Sequence, residues 1–74
     1  MNFYDRCGHL IEEYDVFEDG TYAKKYGDEW YVVGEKDTMW NFDQFCWDCI
    51  DKENVRLVDF EVIGKVSEHG LLEG

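Results

Sequence analysis

The chain of 74 residues contains no proline and few cations. Seven Lys and Arg residues stand against eighteen Asp and Glu, which gives a formal net charge of −11 at pH 7. Binding to nucleic acid or to an anionic membrane requires cations that neutralise phosphates, so the charge argues against both kinds of partner. It favours a basic protein surface instead. Without proline, the chain has no rigid Pro-rich linker and no Pro-rich ligand segment.

Long apolar runs are missing as well. No stretch approaches the ~18 apolar residues of a membrane-spanning helix, and no signal-peptide pattern opens the chain. We therefore expect a soluble, cytoplasmic protein that forms a single domain over residues 1–74. In that compartment the three cysteines stay reduced unless a metal holds them.

Aromatic residues are abundant, at 18% of the chain, and several short stretches alternate between apolar and polar residues. This alternation predicts half-buried strands. Asp19 and Gly20 are typical of a type I′ hairpin turn, and Gly27 with Asp28 predicts a second tight turn. The strands predicted in the first half of the chain are residues 2–5, 10–16, 21–26 and 30–33.

Residues 55–66 carry the strongest strand pattern. One face is apolar, with Val58, Phe60, Val62 and Val66, and the other carries Asp59 and Glu61. Gly64 suits a bulge or a sharp bend within this strand. We therefore expect a mostly β domain, built as a small, five-stranded, curved antiparallel sheet or barrel around this strand.

In residues 37–53 the spacing of the apolar residues changes from every second position to every third or fourth position, and this spacing predicts one α-helix. The apolar residues that would form one stripe of the helix are Met39, Phe42, Phe45, Cys46, Cys49 and Ile50. Either Asp37 or Asn41 is a suitable residue to cap its start.

The cysteines allow two interpretations. Cys46 and Cys49 are spaced to chelate one zinc ion, and Cys7 with His9 would complete a Cys3His site. Alternatively, Cys46 and Cys49 are small apolar residues on the buried stripe of the helix, and no cofactor is bound. A thioredoxin-like redox role is disfavoured because no βαβ pattern precedes the motif.

Carboxylates concentrate on the predicted strands and turns of the first half of the chain. If they fall on one face, they would imitate the phosphate rows of a duplex, whereas the alternative is an ordinary solvated acidic coat. Tyrosines between them would serve as anchors for a partner. The candidate partner-binding residues are Glu12, Glu13, Asp15, Glu18, Asp19, Asp28, Glu29, Tyr14 and Tyr22.

Two blocks of the chain carry a family resemblance. Asp59-Phe-Glu-Val-Ile-Gly64, with Leu71-Leu72-Glu73 after a spacer, resembles the C-terminal signature of YopX-type phage proteins. Tyr4-Asp5-Arg6-Cys7-Gly8-His9-Leu10-Ile11 is similar to the hairpin that opens this family. Glu68-His69-Gly70 replaces the Asn-Pro that the family usually has before Leu-Leu. The resemblance implies a phage or prophage origin and an SH3-like barrel element, and it implies no activity.

Two functions follow from these observations, and neither is enzymatic. In the first, a phage-encoded acidic protein binds a basic protein in the host cytosol, such as a defence nuclease. It inhibits that protein as a DNA mimic, in the manner of an anti-CRISPR or anti-restriction protein. In the second, the protein is a YopX-like structural or assembly module, stapled by zinc and associating with itself. Paired carboxylates such as Glu12 and Glu13 carry no weight for acid–base catalysis in a chain this acidic.

Overall fold

The computed structural model describes residues 2–66, apart from the side chain of Asp37. These residues form eight short strands in two sheets and two 3-10 turns, so the prediction of a small, mostly β fold is confirmed. The strands are β1 (Asn2–Tyr4), β2 (Asp15–Phe17), β3 (Tyr22–Tyr26), β4 (Glu29–Val33), β5 (Met39–Asn41), β6 (Trp47–Cys49), β7 (Asn54–Leu57) and β8 (Val62–Lys65). The 3-10 turns are η1 (Glu35–Asp37) and η2 (Phe42–Gln44).

The larger sheet has five antiparallel strands in the order β5-β4-β3-β2-β8. Its centre is the predicted meander, although the turn between β2 and β3 differs from the predicted type I′. A type I′ turn needs a positive φ at both central residues. Of the turn residues only Gly20 has one, at +90°. Phe17 accepts from the Gly20 N–H at 2.9 Å and donates to the Thr21 carbonyl at 2.8 Å, as in a hairpin loop with glycine at the bulge position.

A second sheet of three strands was absent from the prediction. Its order is β1-β7-β6, with β1 parallel and β6 antiparallel to the central β7. It forms because the predicted strand at residues 55–66 is interrupted by a turn at Val58 and Asp59. Apolar residues alternate with polar ones both before and after that turn. The alternation alone therefore does not show that the two halves belong to different sheets.

The two halves of that predicted strand bury different faces. In β7 the buried residues are Val55 and Leu57, which lie on the face of the predicted strand opposite to Val58, while Val58 is exposed. The predicted bulge near Gly64 is confirmed. The pairing of β2 with β8 moves from Val16–Gly64 to Phe17–Val62, which leaves Ile63 as the extra residue.

The α-helix predicted for residues 37–53 is wrong. This segment contains β5, η2 and β6 instead. Its aromatic, Asp, Asn, Thr and Cys residues have low helix propensity, and Asp and Asn compete by bonding to nearby backbone groups. Asn41, a proposed helix cap, does cap the short 3-10 turn, because its side-chain oxygen accepts from the Asp43 N–H at 2.9 Å.

The core lies between the sheets and the loops that join them. Its buried cluster consists of Ile11, Phe17, Ala23, Val32, Phe42, Leu57 and Phe60. Phe3, Trp30, Phe45 and Val62 pack against this cluster while remaining partly accessible. Aromatic side chains thus form both the core and its edge, and the edge is where a partner would reach them.

Candidate functional site

Several of the predicted partner-binding carboxylates are held by ion pairs within the chain. Lys65 Nζ lies 2.9 Å from Glu12 and 2.7 Å from Asp15, whose side chain is almost fully buried. The hydrogen bonds to Asp15 and Glu12 raise the pKa of Lys65, and the bond from Lys65 lowers the pKa of Glu12. Glu12 and Asp15 are therefore neutralised locally, and Asp15 is inaccessible to a partner.

Lys24 organises the next group of predicted residues. Its Nζ donates to Glu13 at 2.9 Å, contacts the Tyr14 hydroxyl and lies 4.4 Å from the centroid of the Tyr14 ring. These contacts to Tyr14 and Glu13 raise the pKa of Lys24. The Tyr14 and Tyr22 rings are neighbours, with centroids 6.3 Å apart. Of the tyrosines predicted as partner anchors, Tyr14 thus contacts a lysine of its own chain, and Tyr22 packs beside Tyr14.

Glu18 and Asp19, two further predicted partner-binding residues, also have partners within the chain. Glu18 lies 2.7 Å from Arg6, which also contacts Glu61 at 3.0 Å. Asp19 accepts hydrogen bonds from the backbone N–H and hydroxyl of Thr21, at 3.0 and 2.6 Å. Counting partners within residues 2–66, only Asp28 and Glu29 of the predicted acidic set lack an internal cation or turn partner, and both lie at one cleft.

That cleft, which we call the acidic aromatic cleft, has a volume of about 240 Å³. Its lining combines four aromatic residues, three carboxylates and one amide: Phe3, Trp30, Phe42, Trp47, Asp28, Glu29, Asp43 and Asn41. Asp28 comes from the turn before β4, Glu29 begins β4, and Asp43 lies in η2. Two segments far apart in sequence therefore bring their carboxylates to the same opening.

Three of the four aromatic residues of the cleft pack against each other. The Trp30 and Phe42 rings stack at 5.6 Å between centroids, and Phe3 meets Phe42 edge to face at 5.0 Å. Phe42 is buried, whereas Trp47 at the mouth is 44% exposed. Because Phe42 anchors the group in the core, the cleft is preformed rather than dependent on a rearrangement.

Asn41 connects the two acidic sides of the cleft. Its side-chain N–H donates to Glu29 Oε2 at 3.1 Å, and its side-chain oxygen accepts from the Asp43 N–H at 2.9 Å. β5 places Asn41 directly opposite Tyr31 of β4. The amide thereby holds η2 beside the start of β4, and with it the two ends of the acidic rim.

Within the part of the chain that the structure describes, no Lys or Arg lines the cleft. Lys25 approaches one lining residue, since its Nζ lies 5.8 Å from the centroid of the Trp30 ring. That distance is at the outer limit of a cation–π contact, ~6 Å. Electron-rich ring faces and unneutralised carboxylates both attract cations, so the chemistry of the cleft suits a positively charged group.

A second cleft has less charge. Its lining is Asp19, Thr21, Val32, Trp40, Gln44, Phe45 and Phe60. The single carboxylate there, Asp19, is already bonded to Thr21. This cleft carries one carboxylate against three in the acidic aromatic cleft, so it is the weaker candidate for binding a cation.

The proposed zinc ligands do not converge. Across residues 2–66, no three His, Cys, Asp or Glu side chains are arranged to hold a metal ion. Cys7, Cys46 and Cys49 are exposed, and the exposure of Cys46 and Cys49 contradicts their placement on a buried helical stripe. Cys46 and Cys49 lie in and beside an extended strand, where residues three apart point to opposite faces. His9 lies 3.4 Å from the buried carboxylate of Asp5 instead.

The cleft residues Asp43, Trp30, Trp47, Phe42 and Phe3 were not among the predicted site residues. Asp43 and Trp47 had been assigned to a helix, which obscured their relation to β4. A signal did exist in the sequence, because carboxylates directly adjoin aromatic residues in Asp28-Glu29-Trp30, Phe42-Asp43 and Trp47-Asp48. Repeated acidic–aromatic neighbours indicate a surface where rings and carboxylates are presented together.

No helix among residues 2–66 is long and apolar enough to cross a membrane. In the comparisons with known proteins, no family model, curated protein or solved structure matches the chain. The resemblance to YopX-type proteins and its SH3-like barrel element therefore stay predictions. The Leu71-Leu72-Glu73 part of that resemblance lies outside the described residues.

Proposed function

We propose that this protein is an acidic interaction protein that binds a basic protein surface and thereby keeps nucleic acid from it. The observation that carries the proposal is the acidic aromatic cleft, where Asp28, Glu29 and Asp43 share an opening with the aromatic rings and no neutralising cation is among the lining residues. Aromatic anchors with a charged rim are the features that give protein interfaces their affinity and specificity.

The overall charge supports the same function. The net charge of −11 attracts a basic surface over a long range and accelerates the encounter with it. Surfaces with enough Lys and Arg to respond are those that bind nucleic acid phosphates. The resemblance to phage proteins adds a context in which such a partner is a host defence nuclease.

Competition with DNA tests the proposal. The protein is immobilised and exposed at 0.05 M salt to a lysate of the cells in which it occurs. The column is then washed with a 25-base-pair duplex at constant ionic strength. We expect the duplex to release a nucleic-acid-binding protein, and a parallel column to release the same protein at 0.5 M salt, because screening weakens the attraction.

The released protein is then purified and titrated with this chain in the presence and absence of saturating duplex. The proposal requires the affinity for this chain to fall as the duplex concentration rises. A ternary complex of partner, duplex and this chain, with unchanged affinity, would show that the two do not share a surface and would overturn the proposal.

Self-association is a second candidate, and one feature of the fold favours it. β6 lies at an edge of the three-stranded sheet, all of its residues are exposed, and the exposed Ile50 follows it. An open edge strand can pair with the same strand of a second copy. Sedimentation velocity from 5 to 500 μM would reveal such a dimer, and Cys49→Lys should prevent it by placing a charge on the edge. A monomer throughout this range would exclude the candidate.

A further inference from the structure

We propose that the acidic aromatic cleft is the receptor for a single arginine side chain of the basic partner. The inference deepens the proposed function, on which it rests, by naming the group that this cleft recognises. It rests on three properties of the cleft that concern its size, its charge and the shape of its aromatic lining.

The size of the cleft suits one side chain. Its volume of about 240 Å³ falls below the ~300–1,000 Å³ that is typical of pockets for small-molecule ligands. The apolar part of the lining is provided by Trp30, Phe42 and Trp47, which would cover the aliphatic stem of a long side chain. A compact cleft of this kind receives a protruding residue of a partner.

The charge of the cleft requires the visiting group to be a cation. With any of the described residues, Asp28 and Asp43 make no ion pair, and the Glu29 carboxylate is hydrogen-bonded only to the neutral Asn41. An anionic ligand would be repelled by the three carboxylates, and a neutral ligand would leave their charge uncompensated. A cation gains attraction from all three carboxylates at once.

The flat aromatic lining and the divided rim favour arginine over lysine. A guanidinium group is planar, stacks on aromatic rings and presents donors in several directions at once. It can lie against Trp47 while donating to Asp28 or Glu29 on one side and to Asp43 on the other. The ammonium of lysine is compact and more strongly hydrated, so it loses more on leaving water.

The tryptophans provide a direct readout of this site. N-acetylarginine amide is titrated into the ¹⁵N-labelled protein, and the indole N–H resonances are followed by NMR. We expect the resonances of Trp30 and Trp47 to shift with a saturable curve, and that of Trp40, which lines the other cleft, to remain unchanged. Equal shifts of all three indoles would indicate non-specific association and overturn the proposal.

Two further ligands separate charge from shape. N-acetylcitrulline amide has nearly the same shape as the arginine ligand but no charge, and we expect it to cause no saturable shift. N-acetyllysine amide, with its side-chain amine free, should bind at least threefold more weakly than arginine. Binding of citrulline equal to that of arginine would refute the role of the carboxylates, and lysine binding as tightly as arginine would refute the guanidinium specificity.

Two double variants that remove the same charge test whether arginine binds at the cleft. Asp28→Asn with Asp43→Asn removes two rim charges without changing side-chain size, and should weaken arginine binding at least tenfold. Glu35→Gln with Glu53→Gln removes the same charge from exposed side chains outside the cleft, and should change binding less than twofold. Equal losses in both variants would show that net charge, rather than the cleft, binds arginine.

The same variants distinguish this inference from the proposed function. If arginine binds at the cleft but the partner does not compete with DNA, the receptor site stands and the proposed function fails. If competition with DNA is retained while the Asp28→Asn/Asp43→Asn variant binds the partner as tightly as the control variant, the function stands and the arginine receptor is refuted.

Discussion

Asp5 shows how a single buried carboxylate can join the two sheets. Its side chain is 0% exposed and accepts backbone N–H groups from Cys7 at 2.9 Å, His9 at 2.8 Å and Val62 at 2.8 Å. The first two bonds close the turn after β1, in the three-stranded sheet, and the third reaches the start of β8, in the five-stranded sheet. The carboxylate thus satisfies backbone donors that would otherwise be buried without partners.

Replacing Asp5 by Asn should destabilise the protein by about 1–3 kcal/mol, because an amide nitrogen would face one of those N–H donors and leave it unsatisfied. Asp59→Asn is the matched control. Asp59 is exposed and accepts one backbone N–H, from Cys46 at 3.2 Å, so its variant should lose less than ~0.5 kcal/mol. Urea denaturation of both variants measures the difference, and equal losses would contradict this role of Asp5.

The same carboxylate predicts a pH dependence of stability. Burial raises the pKa of Asp5, but the N–H donors from Val62, His9 and Cys7, together with the charge of His9, outweigh burial and hold the pKa below its ordinary value of 3.8. The ionised form therefore stabilises the fold at all pH values above the unfolded-state pKa. This contribution is lost as the pH falls from about 4 through the lower pKa of the folded protein.

The difference in unfolding free energy between the natural protein and Asp5→Asn should accordingly be present at pH 5, above the unfolded-state pKa of the carboxyl group. It should shrink below pH 3.8, since Asn has no proton to gain. Because the other carboxylates titrate in both proteins, the subtraction isolates Asp5. Denaturation curves at half-unit intervals down to pH 2.5 measure it, and a difference that grows on acidification would show the opposite sign of pKa shift.

At the scale of the elements, Phe42 and Ile50 distinguish the observed strands from the predicted helix. A helix over residues 37–53 would bury both residues on one stripe, whereas the structure buries Phe42 to 2% exposure and leaves Ile50 at 53%. Phe42→Ala should cost about 3–5 kcal/mol of stability by opening a cavity beneath Trp30 and Phe3. Ile50→Ala should stay within ~0.5 kcal/mol. Phe42→Leu serves as a milder variant if Phe42→Ala does not fold, and comparable losses at both positions would support the helix.

The elements that the sequence predicts well are those with local signals. The β2–β3–β4 meander follows from alternating residues and from turns at Gly20 and Gly27, both of which have a positive φ. The bulge beside Gly64 follows from glycine within a strand. Each of these features depends on a few neighbouring residues, so one sequence is enough to reveal them.

The elements that were missed depend on strand pairing that the pattern of apolar residues does not reveal. Phe42, Phe45 and Cys46 fit a helical stripe as well as they fit short strands, and only the pairing of β5 with β4 and of β6 with β7 decides between them. For the same reason, only part of the candidate site was predicted. Asp28 and Glu29 were identified from composition, but Asp43 reaches them only once η2 is docked beside β4.

For the whole molecule, the important feature is that most cations are used internally. Arg6, Lys24, Arg56 and Lys65 each form an ion pair with a carboxylate at 2.7–3.1 Å. Charge neutralisation is therefore concentrated at these contacts, and the excess of carboxylates is distributed over the remaining surface. Contact pairs act over a few ångströms, whereas the excess charge acts across the molecule, whose extents are 38 × 22 × 17 Å.

Salt separates these two contributions to stability. The Debye length falls from ~30 Å at 0.01 M to ~10 Å at 0.1 M, so this range removes repulsion across the molecule and screens contact pairs much less. We therefore expect the melting temperature to rise by a few degrees between 0.01 and 0.1 M NaCl, since relief of ~0.5–1 kcal/mol corresponds to such a shift in a domain of this size. Differential scanning calorimetry measures this rise in melting temperature.

The double variant Glu35→Gln with Glu53→Gln serves as the control, because it reduces the net negative charge. Its melting temperature should depend less on salt, because less repulsion remains to be screened. A melting temperature that falls with salt would contradict this prediction. It would mean that the ion pairs of Arg6, Lys24, Arg56 and Lys65 stabilise the fold by more than the long-range repulsion destabilises it.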